Sequence, residues 1–237
     1  MTYHFEIKSG KKGSAAEHGK YIVREGKHRK RGDLVARGYG NMPEWSKDNP
    51  ATFLKASDRF ERANGAAYRE LVISLPNEFT LSQHEEFVSR AVARLIGNKP
   101  YLYGIHCPEA ELGKVDNPHV HVIYSDRQPD EHQRSPEETF ARYNSKHPDR
   151  GGCKKDSGGK TPLQLRDEVI AKRKLVADIQ NEMLAEMGAS TRVDHRSHRE
   201  RGIERQPERH LGQARIRTMT VQERSDYLAA RAEKKEE

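Results

Sequence analysis

The sequence has few cysteines and no long apolar segment, and both absences exclude classes of protein. Among its 237 residues are two cysteines, Cys107 and Cys153, which are too few for a disulfide framework and form no C-x-x-C pair. No stretch approaches the roughly 20 apolar residues that a membrane-spanning helix needs. The first ten residues alternate apolar and polar side chains and lack the apolar region of a signal peptide. We therefore expect a cytoplasmic protein without membrane insertion.

Hydrophobic residues are also scarce, and positive charge is in excess. Hydrophobic and charged residues each make up 33% of the chain, and the mean hydropathy is -1.02. The formal net charge of +7 favours a polyanionic partner, since clustered lysine and arginine attract phosphates and release counterions on binding. Charge alone does not separate nucleic-acid-binding proteins from other basic proteins. The composition predicts one compact domain with charged segments around it.

The hydrophobic pattern alternates between strands and helices along the chain. Residues 3–7 alternate as in a half-buried strand, and a helix is predicted to begin at Ser14, which has capping-box spacing to Glu17. A second pair at this spacing, Ser82 with Glu85, predicts another helix. We predict helices over 53–64, 82–96 and 162–187, strands over 71–75, 101–106 and 119–125, and a mobile surface loop over 32–50. This order predicts an α+β fold: a mostly antiparallel central sheet, covered by helices, that contains the His-x-His strand.

The sharpest chemical feature is the segment Asn-Pro-His-Val-His at residues 117–121. Side chains two apart on a strand project from the same face, so His119 and His121 point the same way. Two neutral imidazoles side by side are a bidentate metal site, and antiparallel pairing of neighbouring strands brings His106 alongside as a third ligand. Three protein ligands leave coordination positions open for a substrate. The alternative is that these are surface histidines in a chain that has 12 of them.

Tyr21 is a second candidate, although its own neighbourhood does not single it out. A tyrosine on an amphipathic helix is normally a packing residue. The nearby Lys20, Arg24 and the basic run Lys-His-Arg-Lys-Arg at residues 27–31 supply the positive charge that phosphates bind. A solvated, charged loop is an equally good interpretation of that basic run.

Four stretches of the chain together resemble a known family, and they reach from the N-terminus to about Gly212: YHFEIKSGKKGSAAEHGKYIVREGK, RFERANGAAYRELVISLPNEFTL, NPHVHVIYSDR and DHRSHRERGIERQPERHLG. They resemble the HUH endonucleases and, within them, the MobA/MobL-type (MobQ) plasmid mobilisation relaxases. The segment NPHVH followed by Ser-Asp-Arg, and the tract GIERQPERHLG, are the specific motifs.

The resemblance implies roles for particular residues. Tyr21 is then the nucleophile, and Glu70 orients a histidine N–H. His106, His119 and His121 would hold a divalent metal ion, Mn²⁺ or Mg²⁺ foremost. One departure is the connection CPEAELGKVDNP between His106 and His119, which is longer than the family usually has. If the extra residues extend a hairpin loop, the triad is intact; if the alignment has slipped, His106 is the member in doubt.

The function that the resemblance implies is a site- and strand-specific nick at a plasmid origin of transfer. Tyrosine attack would give a 5′-phosphotyrosine DNA adduct, and the reverse transesterification would rejoin the strand. The implied partners are plasmid DNA, single-stranded at the nick and partly duplex, accessory relaxosome proteins and a coupling protein. Candidate DNA contacts are Lys11, Lys12, Arg24, Lys27, Arg29, Lys30 and Arg127.

The expected organisation is a relaxase domain over residues 1–212, followed by a charged, helical extension or linker over 213–237. Two other functions stay open. A rolling-circle replication initiator has similar chemistry but nicks a replication origin, and the GIERQPERHLG tract favours the relaxase. A non-catalytic basic DNA-binding protein with incidental histidines is the alternative from a different class.

Overall fold

The computed structural model describes residues 3–204, 211 and 213–236. Within these residues the strands are β1 Phe5–Lys11, β2 Leu34–Gly40, β3 Ala66–Ser74, β4 Tyr101–His106 and β5 His119–Tyr124. The helices are α1 Ala15–Ile22, α2 Pro50–Phe60, α3 Leu81–Leu95, α4 Pro136–Phe140, α5 Pro162–Glu186, α6 Gln213–Thr218 and α7 Val221–Glu236. No helix in this part of the chain combines the length and apolarity that crossing a bilayer requires.

The strands form one antiparallel sheet in the order β1-β3-β5-β4-β2. The His-x-His strand, β5, is therefore central and is paired on both sides. This arrangement confirms the predicted α+β fold with a mostly antiparallel sheet. Strand β5 pairs with β3 on one edge and with β4 on the other, so its register is set by both neighbours.

Helices cover both faces of the sheet. Val120, Val122 and Tyr124 of β5 pack on one face with buried residues of α3 and α5, while Ile123 packs on the other face with residues of α1 and α2. Because side chains alternate along a strand, His119 and His121 share the α1 face with Ile123. Truncating a fully buried side chain in such a core costs about 2–5 kcal/mol, so β5 is a rigid support for its histidines.

Helix α1 begins where the sequence predicted, but a distant residue provides its cap. The Asp58 carboxylate of α2 accepts hydrogen bonds from the backbone N–H groups of Gly13, Ala15 and Ala16 at 2.8, 2.8 and 2.9 Å. The Ser14 hydroxyl donates instead to the Lys11 carbonyl, at 2.6 Å. The first N–H groups of a helix have no partner within it, so Asp58 fixes the start of α1 against α2.

Two other local predictions were wrong. Residues 32–50 are not a mobile loop, since they form β2 and a short 3-10 helix, Glu44–Ser46. Strand β2 lies at the edge of the sheet, where its residues are at most half-buried, so its sequence lacks the apolar alternation of the inner strands. The capping box of α3 is formed by Thr80 and Gln83, because the helix begins at Leu81, one residue earlier than predicted.

Contacts along the chain divide it into two units. The first, Met1–Cys107 with Pro118–His195, contains the sheet and α1–α5; the second, Pro108–Asn117 with Arg196–Glu237, contains the β4–β5 connection and the helices α6 and α7. The long connection is a hairpin: the Ala110 N–H bonds the Val115 carbonyl at 2.8 Å, and the Asn117 N–H bonds the Pro108 carbonyl at 3.0 Å. Much of the GIERQPERHLG tract, and the expected domain boundary at residue 212, lie outside the described residues.

Candidate metal centre and active site

The sheet brings the three predicted metal ligands together. His106 is the last residue of β4 and lies directly opposite His119 of β5, while Gly104 lies opposite His121. One ring nitrogen from each of the three histidines lies within 4.8 Å of the others. Nitrogen ligands bind transition metals at about 2.0–2.1 Å, so three ring nitrogens this close together could hold one ion. The extra residues of the connection extend the hairpin and leave this register intact.

Hydrogen bonds from outside the triad set the orientation of two of its rings. His121 Nδ1 lies 2.7 Å from Glu70 Oε1, and His106 Nε2 lies 2.7 Å from the Ile22 carbonyl oxygen. A carboxylate and a carbonyl only accept, so both of these ring nitrogens carry the proton. The lone pairs are then on His121 Nε2 and His106 Nδ1, as expected of histidines that bind a metal.

The charge states of these groups suit a cation. Burial lowers the pKa of His106 to about 4, and its hydrogen bond to the Ile22 carbonyl only partly opposes this. Burial raises the pKa of Glu70, but the contacts from His121 and His18 outweigh it and bring the value to about 2. At neutral pH His106 is therefore uncharged and Glu70 ionised. An uncharged His106 and a carboxylate behind His121 suit a donor set for a divalent metal ion.

Tyr21 lies in the last turn of α1, beside the triad. Its ring is edge-on to His106 and His121, with centroids 6.4 and 6.3 Å away. The guanidinium groups of Arg24 and Arg31 lie over the same ring, 4.5 and 5.3 Å from its centroid. The helix thus places the predicted nucleophile, the predicted ligands and two cations in one region.

Gly104 allows this close approach of α1 to the sheet. A Cβ atom at Gly104 would lie 2.5 Å from the Ile22 carbonyl oxygen and 3.0 Å from Ile22 Cγ2. The same carbonyl accepts the proton of His106 Nε2. The missing side chain therefore lets the end of α1 bond directly to a candidate metal ligand, one residue after Tyr21.

Arg24 was expected to contact DNA, but it lies in the interior with 6% of its surface exposed. Its Nε and Nη2 donate to the Asp33 carboxylate at 2.8 and 2.7 Å, and Nη1 donates to the Tyr21 carbonyl at 2.7 Å. Nη2 also lies 3.2 Å from His106 Nδ1. A left-handed backbone (φ 53°) just after α1 turns the chain so that this side chain points inwards.

Arg127 was also expected to contact DNA, and it too is an interior residue, 4% exposed. Its guanidinium bonds the Glu61 carboxylate at 3.0 and 3.1 Å and the carbonyls of Ala141 and Cys153 at 2.9 and 2.8 Å. A buried arginine needs such acceptors. These bonds tie the segment after β5 to the end of α2, which explains why this arginine faces away from solvent.

The remaining predicted DNA contacts are on the surface. Lys27 is exposed, with its Nζ 3.9 Å from Glu17 Oε2. The others in this group are exposed as well: Lys11, Lys12, Arg29 and Lys30. Contact of this group with DNA stays a prediction.

Two residues of this site were missed by the sequence analysis. His18 lies one turn before Tyr21, and its ring stacks on the Tyr21 ring. The i, i+3 spacing of these two residues on a helix was the available signal. Asp33, which pairs with Arg24, lies in the segment taken for a loop and gave no signal.

Comparison with known proteins places this chain in a family. A chain solved in work on the molecular basis of vancomycin resistance transfer in Staphylococcus aureus has the same fold, with a TM-score of 0.59 and 22% identity over 83% of this chain and 100% of that chain. The model of the MobA/MobL family matches residues 25–220. The chain belongs to the MobA/MobL family, as its motifs predicted.

Two curated relatives have informative names. The 43 kDa relaxation protein of Salmonella typhimurium is 39% identical over 208 residues, which cover 86% of this chain and 56% of that protein. Mobilization protein A of Escherichia coli is 37% identical over 216 residues, covering 89% of this chain and 29% of its own length. This chain therefore spans about half or less of these relatives.

Proposed function

We propose that this chain is a relaxase that nicks one strand of plasmid DNA at an origin of transfer, with Tyr21 as the nucleophile. The observation that carries the proposal is the position of the Tyr21 ring, within 6.4 Å of two of the three histidines that can hold a metal ion. The relatives named for relaxation and mobilisation support it. The tyrosine, the triad and the family together favour strand transfer over DNA binding without catalysis.

The chain's own residues can carry the chemical step. The phenolic oxygen of Tyr21 forms a bond to phosphorus, and the bond from phosphorus to the 3′ oxygen breaks. The phenol loses a proton and the departing 3′ oxygen gains one, so atoms and charge balance. The products are a 5′-phosphotyrosine and a free 3′-OH, and the reverse reaction rejoins the strand without an external energy source.

The surroundings of Tyr21 suit the charge that develops in this step. Held by His106, His119 and His121, a divalent ion such as Mn²⁺ or Mg²⁺ would neutralise and orient the scissile phosphate. Arg24 and Arg31 add positive charge over the Tyr21 ring, where negative charge appears as the proton leaves. Glu70 and the Ile22 carbonyl hold the imidazoles in place before the substrate arrives.

The proposed substrate is plasmid DNA, single-stranded at the nick and partly duplex, bound by phosphate contacts. The exposed cations that would make these contacts are Lys11, Lys12, Lys27, Arg29 and Lys30. Accessory relaxosome proteins and a coupling protein are proposed further partners. Residues 1–212 would form the relaxase domain and residues 213–237 an extension.

A covalent-capture experiment tests this function. Single-stranded oligonucleotides that tile the transfer region of the plasmid are incubated with the chain and Mn²⁺, and SDS gels are scored for a protein–DNA adduct. We expect one oligonucleotide to give an adduct that EDTA prevents and that Tyr21→Phe abolishes. Tyr39→Phe, an exposed tyrosine on β2 of the same sheet, is the matched control and should keep full activity. Binding of DNA without any adduct in the unaltered chain would contradict the proposal.

A further inference from the structure

Three aromatic rings stack on one another beside the sheet: Tyr68 lies innermost, His18 is in the middle and Tyr21 is outermost. Tyr68 lies on β3 directly opposite Gly10 of β1, and its ring occupies the space that a Cβ at Gly10 would fill. The His18 ring lies on Tyr68, 5.1 Å away and 12° from parallel. The Tyr21 ring lies on His18, 5.8 Å away and 17° from parallel. Both spacings are typical of rings in attractive contact.

A buried carboxylate contacts the middle ring of the stack. His18 Nε2 lies 3.0 Å from Glu70 Oε1, although its direction does not meet hydrogen-bond geometry. The same oxygen accepts the hydrogen bond of His121 Nδ1 at 2.7 Å. Glu70 is 3% exposed, so this contact is made in the interior, away from solvent. One oxygen atom thus bonds a candidate metal ligand and also lies against the ring that stacks on Tyr21.

We propose that His18 is a positioning residue for Tyr21, holding the phenol ring in register with the triad through the stack on Tyr68 and the contact with Glu70. The inference rests on the proposed function, in which Tyr21 is the nucleophile. A half-buried tyrosine at the end of an eight-residue helix has other side-chain rotamers available. The His18 ring packs against one face of the phenol. The contact with Glu70 limits movement of the imidazole across that face.

Kinetics of the full 237-residue chain separate positioning from general damage. Misplacing a reacting group by 1 Å can cost about 100-fold in rate, so His18→Ala should lower kcat by at least about 10-fold. The KM for the oligonucleotide and the Kd for Mn²⁺, measured by calorimetry, should stay within about 3-fold, since His18 is not a ligand and Glu70 keeps His121. A kcat within about 2-fold of the unaltered chain overturns the inference, as does a matching rise of KM or of the Mn²⁺ Kd.

Two conservative variants identify the property of His18 that matters. His18→Phe keeps a flat ring between the two tyrosines and should return kcat to within about 5-fold of the unaltered chain. His18→Asn keeps a polar group near Glu70 but loses the ring, and should be as slow as His18→Ala. Rescue by asparagine and not by phenylalanine would overturn the assignment of the stack.

A spectroscopic readout tests the stack without any activity. In chain labelled with 3-fluorotyrosine, the ¹⁹F resonance of Tyr21 is the one that disappears in Tyr21→Phe. Removing the stacked imidazole in His18→Ala should move this resonance, because the ring current of His18 acts on it. An unmoved resonance overturns the inference. If the unaltered chain forms no adduct but the resonance moves, the stack exists and the proposed function is what has failed.

Discussion

Replacing Gly104 by alanine tests whether the close approach of α1 to the sheet positions Tyr21. The new Cβ would lie 2.5 Å from the Ile22 carbonyl oxygen, whereas ordinary contact begins at 3.4 Å. The end of α1 must therefore move by about 1 Å, and overpacking of this kind costs about 1–3 kcal/mol. Both atoms in the collision are constrained, because one belongs to a strand and the other to helix backbone that bonds His106.

The same displacement acts on catalysis, since Tyr21 precedes Ile22 directly. A shift of about 1 Å in a reacting group can lower the rate by about 100-fold, and we expect kcat for adduct formation to fall by 10-fold to 100-fold. Urea unfolding measures the stability loss in parallel. Gly32→Ala is the matched control, because a Cβ there meets no heavy atom within 4 Å. If the two variants nick DNA at rates within about 3-fold of each other, Gly104 does not position the tyrosine.

Three further outcomes follow from buried charges. Arg127→Met leaves the Glu61 carboxylate, 1% exposed, with Lys155 as a remaining cation at 3.1 Å, and removes the donor to two buried carbonyls. Urea unfolding should show a loss of about 1–3 kcal/mol; a loss below about 0.5 kcal/mol would contradict a structural role for this arginine. Burial raises the pKa of Glu70, yet contacts from His121 and His18 hold it at about 2, below the ordinary 4.5. Its ionised form therefore stabilises the metal-free fold above about pH 4.5, and this stabilisation is lost as pH falls towards 2. Unfolding in EDTA should show that slope and Glu70→Gln should flatten it; equal slopes would refute the assignment. Glu70→Gln should also weaken Mn²⁺ binding by about 10–100-fold in calorimetry, and unchanged affinity would argue against its role behind His121.

The sequence predicts those parts of the fold whose signal is local. Alternation along β5 is enough to place His119 and His121 on one face, because strand periodicity depends only on neighbouring residues. The edge strand β2 was missed, since it is defined by its pairing with β4 and its own residues are at most half-buried. The cap of α1 was also missed, because Asp58 follows the helix by more than 30 residues.

The site divides in the same way. The triad could be predicted from a motif and one neighbouring strand, and the structure places its members together. The contacts of His18 with Tyr68 and Glu70 depend on the packing of α1 across β3, which no spacing in the sequence encodes. Arg127 was predicted to contact DNA because it is a basic residue beside the motif. Only the structure shows that it is paired with the buried Glu61.

Mass spectrometry of the adduct tests the central claim most directly. Tyr21 lies between Lys20 and Arg24, so trypsin releases it in the peptide Tyr-Ile-Val-Arg, and nuclease treatment leaves a short nucleotide attached. We expect the mass of a 5′-phosphonucleotide on this peptide, with fragment ions that place it on the tyrosine. A nucleotide on any other residue, or none in a sample that has nicked DNA, would contradict the assignment of Tyr21 as the nucleophile.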